Sequence, residues 1–278
     1  MNQSLAPGER IDRYRIDKVL GRGGMAIVLR VVHEDLGSLH ALKVLQLLYP
    51  GLAERLTQEG RMQASLKHPN VIAVTDIVRI GSLPGLVMEY VQGVSVGELV
   101  AVEPQSIAQA EALAMGIMDG VEAAHQRGLV HRDLKPDNVL LDISGADLVP
   151  KITDFGLARA LDETTFGLGQ HRTRSGQTLG TPAYMAPEQF TDSRAADQRS
   201  DIYALGAILY ELLATKPAFA GTSLVAAYQD ATKEKYPRLG TVCPRAPQRI
   251  QRAVETCLRA DPDDRPQSVA ELRALWLD

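Results

Sequence analysis

The sequence predicts an α+β fold with a small, mainly β amino-terminal lobe and a larger, mainly α-helical carboxy-terminal lobe. Up to Tyr90 the apolar residues come mostly in short runs bounded by turn residues, as in strands. After Gly93 they recur every three or four residues, as on one face of a helix. The two lobes should therefore meet near residues 91–97, and a cleft between lobes is a preferred ligand site.

The elements of the first lobe can be placed from these apolar runs. Strands are expected at residues 14–16 and 19–20, 27–32, 39–45, 71–78 and 86–90. One helix, from about 52 to 66, interrupts them and ends at the turn-like His68-Pro69-Asn70. The glycine-rich segment 21–28 lies between two strands and predicts a hairpin turn. Its glycines fit a plain hairpin, and they also fit a turn whose backbone approaches a phosphate closely.

Two helices stand out in the second lobe. The first repeats apolar residues on one face and should end at Gly128, where a glycine suits the end of a helix. The second, from about 201 to 213, is apolar on every face and should be surrounded by protein. Ser200 and Asp201 suit its amino-terminus, as a capping hydroxyl and a carboxylate that faces the helix dipole. The apolar face of the first helix consists of Leu113, Ile117, Val121 and Ala124.

Composition limits the classes of function. The 278 residues are 45% hydrophobic and 23% charged, which is ordinary for a globular protein. A net charge of −4 gives no basic surface for nucleic acid, and no apolar run is long enough to span a bilayer. We therefore expect a cytoplasmic segment without nucleic-acid or membrane contact. Cys243 and Cys257 should be reduced and packed, with a disulfide as the alternative.

The most polar motif is HRDLKPDN at residues 131–138, which lies between two apolar segments. Titratable groups held between buried segments are typical of a functional site. Lys43 is unusual because it interrupts the apolar run 41–45. It fits a lysine on an edge strand whose side chain reaches solvent, or a cation that pairs with Glu59 on the helix beside the sheet.

Several motifs resemble, in order and spacing, the signature set of protein kinases. They are residues 131–138, Asp154-Phe155-Gly156, Ala186-Pro187-Glu188, the glycine-rich turn and Ala41-Leu42-Lys43. Residues 180–188 and 88–91 are most similar to the Hanks-type (eukaryotic-like) serine/threonine kinases of bacteria. The resemblance covers nearly the whole chain and implies the two-lobed protein kinase fold, with a kinase domain at 1–278. Within it the N-lobe would be at about 10–91, the hinge at about 89–97, the C-lobe at about 98–278 and the activation segment at 154–188.

The resemblance implies a role for each polar residue of the reacting centre. Asp133 would orient and deprotonate the substrate hydroxyl, and Lys135 would neutralise charge on the γ-phosphoryl group. Asn138 and Asp154 would hold Mg²⁺, and Mn²⁺ suits the same oxygen ligands. Phosphoryl transfer requires that the reacting groups are held in position and that the charge on the phosphates is stabilised, and these roles supply both.

The implied ATP site draws on residues of both lobes. Lys43, fixed by Glu59, would bind the α- and β-phosphates, while the glycine-rich turn covers them. Met88 would be the gatekeeper residue, and adenine would bind the backbone at Glu89 and Val91. The full implied set is Leu20, Gly21, Gly23, Gly24, Val28, Ala41, Lys43, Met88, Glu89, Val91, Leu140 and Asp154.

Other residues have implied structural roles. His131 should pack under Phe155 rather than carry a proton, and Arg265 should pair with Glu188. Asp201 should open the buried helix of the second lobe. The implied structural set is His131, Arg132, Phe155, Gly156, Glu188, Asp201 and Arg265.

Regulation is implied by the arginine that precedes the catalytic aspartate. Arg132 needs an anion, and a phosphate on the activation segment accepts its bidentate hydrogen bonds. Thr181 matches the threonine that accompanies specificity for serine and threonine. The expected autophosphorylation sites, at family-like distances before Glu188, are Thr173, Ser175 and Thr178.

The resemblance implies a serine/threonine protein kinase that acts on protein substrates. It allows a homodimer for trans-autophosphorylation, and it fits the cytoplasmic domain of a longer membrane receptor. Three departures stand out: Ala26 replaces a loop glycine, Gln63 replaces an apolar residue, and the connection 142–151 is long. A polar Gln63 is expected to make the active alignment of its helix depend on a partner or on phosphorylation.

Two other classes of protein share this fold. A pseudokinase scaffold normally lacks the equivalent of Lys43, Asp133 or Asp154, and all three are present. A small-molecule kinase of the aminoglycoside or choline type lacks an activation segment ending in the motif at 186–188, which this chain has. The sequence therefore favours a protein kinase over both alternatives.

Overall fold

The computed structural model describes residues 5–23, 26–45, 52–81, 83–155, 182–192, 195–221 and 223–278. Within the helix at 52–65 it leaves out the side chains of Leu52, Ala53, Arg55 and Glu59. The described residues form two compact units. The β-rich unit contains the residues up to 68 and 72–91, and the helical unit contains 69–71, 92–155 and the described residues from 182 onward.

The β-rich unit is built around a six-stranded antiparallel sheet. Its strands are β1 (Arg10–Ile11), β2 (Tyr14–Arg22), β3 (Ala26–His33), β4 (Leu39–Leu45), β5 (Val74–Ile80) and β6 (Leu83–Glu89). They lie in the order β1-β2-β3-β4-β6-β5. Helix α1 (Leu52–Ser65) lies between β4 and β5 in the chain and packs against β5 and β6. The predicted β-rich lobe interrupted by a helix is confirmed.

Alternating side chains divide the sheet into two faces. Ile27, Leu29 and Val31 of β3 lie in one buried cluster with Leu42 and Val44 of β4. Burial of each of these side chains stabilises the fold by about 1.5–3 kcal/mol. Because successive side chains of a strand point to opposite faces, the residues between them share the other face.

The main differences from the predicted strand boundaries are in β2, β5 and β6. β2 continues through both predicted runs, because bulges absorb the irregular spacing of its apolar residues. β5 begins at Val74 rather than at residue 71, since Val71 instead forms a parallel bridge with Ile152 of the helical unit. β6 begins before residue 86 and includes Pro84 and Gly85, because pairing with β5 outweighs their preference for turns.

The helical unit contains eight described helices and a short β-hairpin. The hairpin pairs β7 (Val139–Asp142) with β8 (Val149–Ile152), so the long connection at 142–151 is its loop and second strand. The helices are α2 (Val96–Val102), α3 (Ile107–His125), α4 (Pro187–Thr191), α5 (Gln198–Ala214), α6 (Leu224–Thr232), α7 (Leu239–Val242), α8 (Gln248–Cys257) and α9 (Val269–Leu277). The predicted helical lobe is confirmed.

Helix α5 is the centre of this unit. All its residues from Ser200 to Leu213 are buried, as predicted from its apolar faces. Its predicted start is wrong, because the helix begins at Gln198 and the Asp197 carboxylate accepts the Arg199 N–H at 2.7 Å. Aspartate caps a helix as well as serine does. The hydroxyl of Ser200 donates instead to Glu188.

Helix α3 matches the sequence prediction closely. All four residues of its predicted apolar face are buried. It ends at His125, and Gly128 takes a left-handed conformation in the turn that follows, with φ of 72°. Cys243 and Cys257 are buried free thiols, as expected. Among the described helices, none is both long and apolar enough to cross a bilayer.

Candidate active site

The polar motif at 131–138 forms a compact cluster around Asp133. The Lys135 ammonium lies 2.8 Å from Oδ2 of Asp133. The Asn138 amide donates to the Asp133 carbonyl at 2.7 Å and to Oδ2 at 3.3 Å. The sequence neighbours therefore converge on one carboxylate, which can accept a proton while an ammonium lies beside it.

Local backbone structure explains this convergence. Residues Pro136–Asn138 form a 3₁₀ turn in which the Asn138 N–H donates to the Lys135 carbonyl at 3.0 Å. The proline suits the first position of such a turn, where its missing N–H costs nothing. The buried side chains of Leu134 and Val139 fix the loop on either side. The loop is thus rigid where its polar groups meet.

A buried carboxylate holds the start of the loop. Asp201 accepts the backbone N–H groups of His131 at 2.7 Å and Arg132 at 2.8 Å. Arg132 has a φ of 68°, in the left-handed region that costs a non-glycine residue roughly 1–3 kcal/mol. The charge-assisted hydrogen bonds to Asp201 offset this strain. Asp201, predicted to open α5, therefore also holds the residues before Asp133.

His131 is a packed residue in this structure. It is fully buried, and its ring centroid lies 4.7 Å from that of Phe155. Its Nε2 lies 2.8 Å from the Thr153 carbonyl oxygen, so this nitrogen carries the proton and donates it. Nδ1 accepts the Asp133 N–H at 3.3 Å. Both ring nitrogens are therefore used by the backbone, as expected for a structural role.

The β7–β8 hairpin brings Asn138 beside Asp154. Val139 pairs with Ile152, and the Thr153 N–H donates to the Asn138 carbonyl at 2.9 Å. Asp154 has a φ of 68°. A carboxylate and an amide oxygen fit Mg²⁺, which proteins commonly bind through one or two carboxylates together with substrate phosphates. Among the described residues there is no group of three or more carboxylates, histidines or cysteines suited to a metal.

Lys43 lies in the interior of the sheet of the β-rich unit. Its strand β4 runs between β3 and β6, so the edge-strand alternative is wrong. Lys43 is only 7% exposed, and lysine is rarely buried without a partner. It faces Val28 on β3, while Ala41 faces Met88 on β6. The sheet therefore brings these four predicted ATP-binding residues onto one face.

The same face packs against α1. Leu86 lies across from Lys43, and its side chain fills the space beside Gly60, where a Cβ would lie 2.6 Å from it. Glu59 is therefore on the helix that covers the lysine, although its side chain is outside the described residues. Gln63 is buried and donates to the Ile72 carbonyl at 3.0 Å. Its polar group is thus satisfied by backbone rather than left unpaired.

The other residues predicted to bind the nucleotide are found in each of the two units. Gly21 pairs with Val28, and the Gly23 N–H donates to the Ala26 carbonyl at 2.9 Å, so β2 and β3 stay paired up to the described ends of the glycine-rich segment. Leu20 is 41% exposed on β2. Met88 and Glu89 end β6, with Val91 just beyond, and Leu140 lies in β7 of the helical unit.

A buried ion pair joins two residues that are 77 positions apart in the sequence. Arg265, fully buried, donates to both carboxylate oxygens of Glu188 at 2.8 Å each, as the resemblance implied. Ser200 donates to the same carboxylate at 2.7 Å. Burial opposes ionisation, but the hydrogen bonds and charge of Arg265 lower the pKa of Glu188 below its ordinary value. Glu188 is therefore held as an anion.

Two contacts near Asp133 were not predicted from the sequence. The Gln189 amide donates to the Arg132 carbonyl at 2.9 Å, which ties α4 to the loop at 131–138. The Tyr184 hydroxyl donates to Glu211 at 2.5 Å, and burial together with this bond raises the pKa of Tyr184. Burial also raises the pKa of Glu211. No local pattern announces either pair, because the partners lie 57 and 27 residues apart in the sequence.

Several predicted residues fall outside the described part of the chain. These are Gly24, the Glu59 side chain, Gly156, Thr173, Ser175, Thr178 and Thr181. The phosphorylation sites and the specificity threonine therefore stay predictions, as does the pairing of Lys43 with Glu59.

Comparison with known proteins identifies relatives of the chain. Residues 14–277 match the family described as protein kinase domain. The chain is 39% identical over 278 residues to the DNA damage-responsive serine/threonine-protein kinase RqkA of Deinococcus radiodurans, covering 98% of this chain and 40% of that protein. It is 36% identical over 285 residues to the serine/threonine-protein kinase PknB of Mycolicibacterium smegmatis, covering 96% and 43%. The chain thus spans about two-fifths of the length of these two relatives.

The solved structures share the fold. A double mutant of the PknI kinase domain from Mycobacterium tuberculosis is 25% identical, with a TM-score of 0.74. The match covers 99% of this chain and 98% of that one.

Proposed function

We propose, because the chain belongs to the protein kinase domain family, that it transfers the γ-phosphoryl group of ATP to serine and threonine hydroxyls of proteins. The observation that carries this proposal is the cluster of Asp133, Lys135 and Asn138. A carboxylate, an ammonium and an amide meet within hydrogen-bonding distance on one rigid loop. Phosphoryl transfer needs this combination of proton acceptor, cation and metal ligand.

Each group of the cluster has a distinct task in the proposed reaction. Asp133 accepts the proton of the attacking hydroxyl and orients its oxygen toward the phosphorus. Lys135 stabilises the negative charge that moves onto the transferred phosphoryl oxygens. Asn138 and Asp154 would hold Mg²⁺ or Mn²⁺, which when bound neutralises charge on the phosphates. His131 takes no part in proton transfer in this proposal, because backbone groups occupy both of its ring nitrogens.

Residues of the β-rich unit bind ATP in this proposal. Lys43 holds the α- and β-phosphates, and Glu59 keeps its ammonium in place. Val28, Ala41 and Met88 share the sheet face that carries Lys43, which supports a common role in binding the nucleotide. The backbone at Glu89 and Val91 and the side chain of Leu140 bind adenine.

We further propose the domain limits and regulation that the resemblance implies. The N-lobe is at about 10–91, the hinge at about 89–97, the C-lobe at about 98–278 and the activation segment at 154–188. Autophosphorylation on that segment provides the anion for Arg132, and Thr181 sets the preference for serine and threonine. Each of two copies transfers the γ-phosphoryl group of ATP to the other in trans and releases ADP, and cytoplasmic ATP places the domain in the cytoplasm.

The two alternative classes receive less support. A pseudokinase scaffold does not need an ammonium held 2.8 Å from a loop carboxylate, whereas a phosphotransferase does. A small-molecule kinase does not need the segment that Arg265 fixes through Glu188. The first observation favours an active phosphotransferase over a scaffold, and the second favours a protein substrate over a small molecule.

The direct experiment measures transfer of phosphate from radiolabelled ATP to the purified chain and to a generic basic protein. Asp133→Asn serves as the control, since an amide cannot accept the proton. We expect incorporation that falls at least about a hundredfold in the control, with sites mapped to Thr173, Ser175 or Thr178. Tight Mg-ATP binding without transfer would support a scaffold, and transfer to aminoglycosides alone would support a small-molecule kinase.

A further inference from the structure

Helix α1 of the β-rich unit has a polar residue in the stripe that it buries. Leu56, Gly60 and Gln63 are buried, and their spacing places them on one face of the helix. Among the described side chains of α1, Leu56 is the only apolar one that is buried. A helix of 14 residues is marginal on its own and depends on contacts with its surroundings. The contacts of this stripe therefore fix where α1 lies.

The Gln63 amide makes the polar contact of this stripe. Gln63 is only 4% exposed, and its Nε2 donates to the Ile72 carbonyl at 3.0 Å. Ile72 is itself buried, and among the described residues Gln63 is the only donor to this carbonyl. A buried carbonyl that loses its donor has little access to water as a replacement. The hydrogen bond therefore ties α1 to the chain just before β5 begins at Val74.

The glycine of the stripe brings α1 close to the strand that pairs with the Lys43 strand. A Cβ on Gly60 would lie 2.6 Å from the Leu86 side chain, so the missing side chain lets the helix approach β6 closely. Leu86 is the partner of Lys43 across the ladder between β6 and β4. Glu59 directly precedes Gly60, and Gln63 follows Glu59 by about one helical turn. Any shift of α1 along β6 therefore moves Glu59 relative to Lys43.

We infer that Gln63 is a positioning residue for ATP binding, because its hydrogen bond to Ile72 holds α1 in the place from which Glu59 pairs with Lys43. An apolar residue at this position would leave the Ile72 carbonyl without a described donor. Gln63 therefore holds the helix, in contrast to the loosening that its polarity alone predicts. This inference rests on the proposed function, in which Lys43 binds the α- and β-phosphates of ATP.

Two variants of the full chain with side chains of similar size test this role. Gln63→Met removes the donor, while Gln63→Glu places a carboxylate, which is an acceptor, opposite the Ile72 carbonyl. Thr75→Val is the matched control, because it removes a hydroxyl that donates to the Val87 carbonyl at 3.3 Å in the same unit. Calorimetry gives the Mg-ATP dissociation constant, and steady-state transfer gives kcat and the KM for ATP. Hydrogen exchange followed by mass spectrometry reports on residues 52–65.

The expected pattern follows from the buried acceptor. Gln63→Met should raise the Mg-ATP dissociation constant and the KM for ATP by roughly fivefold to a hundredfold, the range for loss of a buried hydrogen-bond partner. Gln63→Glu should raise both further, and exchange at 52–65 should accelerate in both variants. Thr75→Val should stay within about twofold of the parent. In a Lys43→Ala background, Gln63→Met should change the Mg-ATP dissociation constant by less than about twofold, because Gln63 acts through Lys43.

Other outcomes overturn the inference or the proposed function, and they can be told apart. Mg-ATP binding and exchange in Gln63→Met equal to those of the parent would refute the positioning role, since apolar packing would then suffice. Equal losses in Gln63→Met and Thr75→Val would reduce Gln63 to a general stabiliser. An undiminished loss in the Lys43→Ala background would show that Gln63 does not act through Lys43. If the parent transfers no phosphate, the proposed function fails, while the exchange at 52–65 still decides whether Gln63 holds α1.

Discussion

Replacing Arg265 with leucine should lower the free energy of unfolding of the helical unit far more than a typical substitution does. Arg265 is fully buried, and its two terminal nitrogens each donate to Glu188 at 2.8 Å. Removing one member of a buried ion pair leaves an uncompensated charge, at a cost of about 3–5 kcal/mol. The guanidinium also satisfies buried backbone carbonyls. These belong to Arg259, Arg199 and Ala260.

Urea titration followed by tryptophan fluorescence measures this loss of stability in the helical unit. Trp276 is the single tryptophan, and it is 1% exposed within α9 of the helical unit. With a urea slope of about 2 kcal/mol per molar, a loss of 3–5 kcal/mol lowers the midpoint by roughly 1.5–2.5 M. Arg259→Ala is the control, because its pair with Glu234 is half exposed and should be worth less than about 1 kcal/mol.

The double variant identifies the group that is left unpaired. Adding Glu188→Leu to Arg265→Leu removes the stranded carboxylate, so stability should partly recover relative to the single variant. A loss in Arg265→Leu no larger than in Arg259→Ala would refute the account. So would further destabilisation on adding Glu188→Leu, since the carboxylate would then not be the group left unpaired.

Three further predictions concern other residues. Burial and the neighbouring His33 lower the pKa of His40, so the folded protein favours its neutral form. The stability that this neutral form provides is complete above the ordinary histidine pKa of about 6.5, and it is lost as the pH falls below that value. His40→Phe should flatten the pH dependence of the stability of the β-rich unit, measured by urea titrations followed by circular dichroism. An unchanged pH profile would show that His40 is not the group responsible. The buried Tyr203 hydroxyl has no hydrogen-bond partner among the described residues. Tyr203→Phe should therefore raise the free energy of unfolding by about 1 kcal/mol. A lower urea midpoint would show instead that the hydroxyl is hydrogen-bonded. A Cβ on Gly93 would lie 1.8 Å from the Leu141 carbonyl oxygen, so Gly93→Ala should cost about 1–3 kcal/mol or more, and a wild-type urea midpoint would contradict this.

Much of the fold follows from periodic patterns in the sequence. The apolar face of α3 and the buried run of α5 were predictable, since both depend on the spacing of local residues. Boundaries were less predictable, because neighbours distant in the chain decide them. β5 starts late because Val71 bridges to Ile152, and α5 starts early because Asp197 competes with Ser200 as a cap.

Some contacts of the candidate site could be predicted from the sequence, and others could not. The Asp133 cluster was predictable because its members are within five residues of one another. The interior position of Lys43 could not be read from its strand alone, because it depends on the order in which strands pair. The contacts of Gln189 with Arg132 and of His125 with Asp201 join residues 57 and 76 positions apart. Such pairs arise only from packing, so no motif reports them.

Two measurements separate nucleotide binding from chemistry at Asp133. Mg-ATP affinity, measured by calorimetry, is compared with the rate of the first turnover in rapid mixing for the parent and for Asp133→Asn. We predict a similar dissociation constant in both proteins and a first-turnover rate at least about a hundredfold lower in the variant. An equal first-turnover rate in both proteins would contradict the role of Asp133 as proton acceptor, and with it the proposed mechanism.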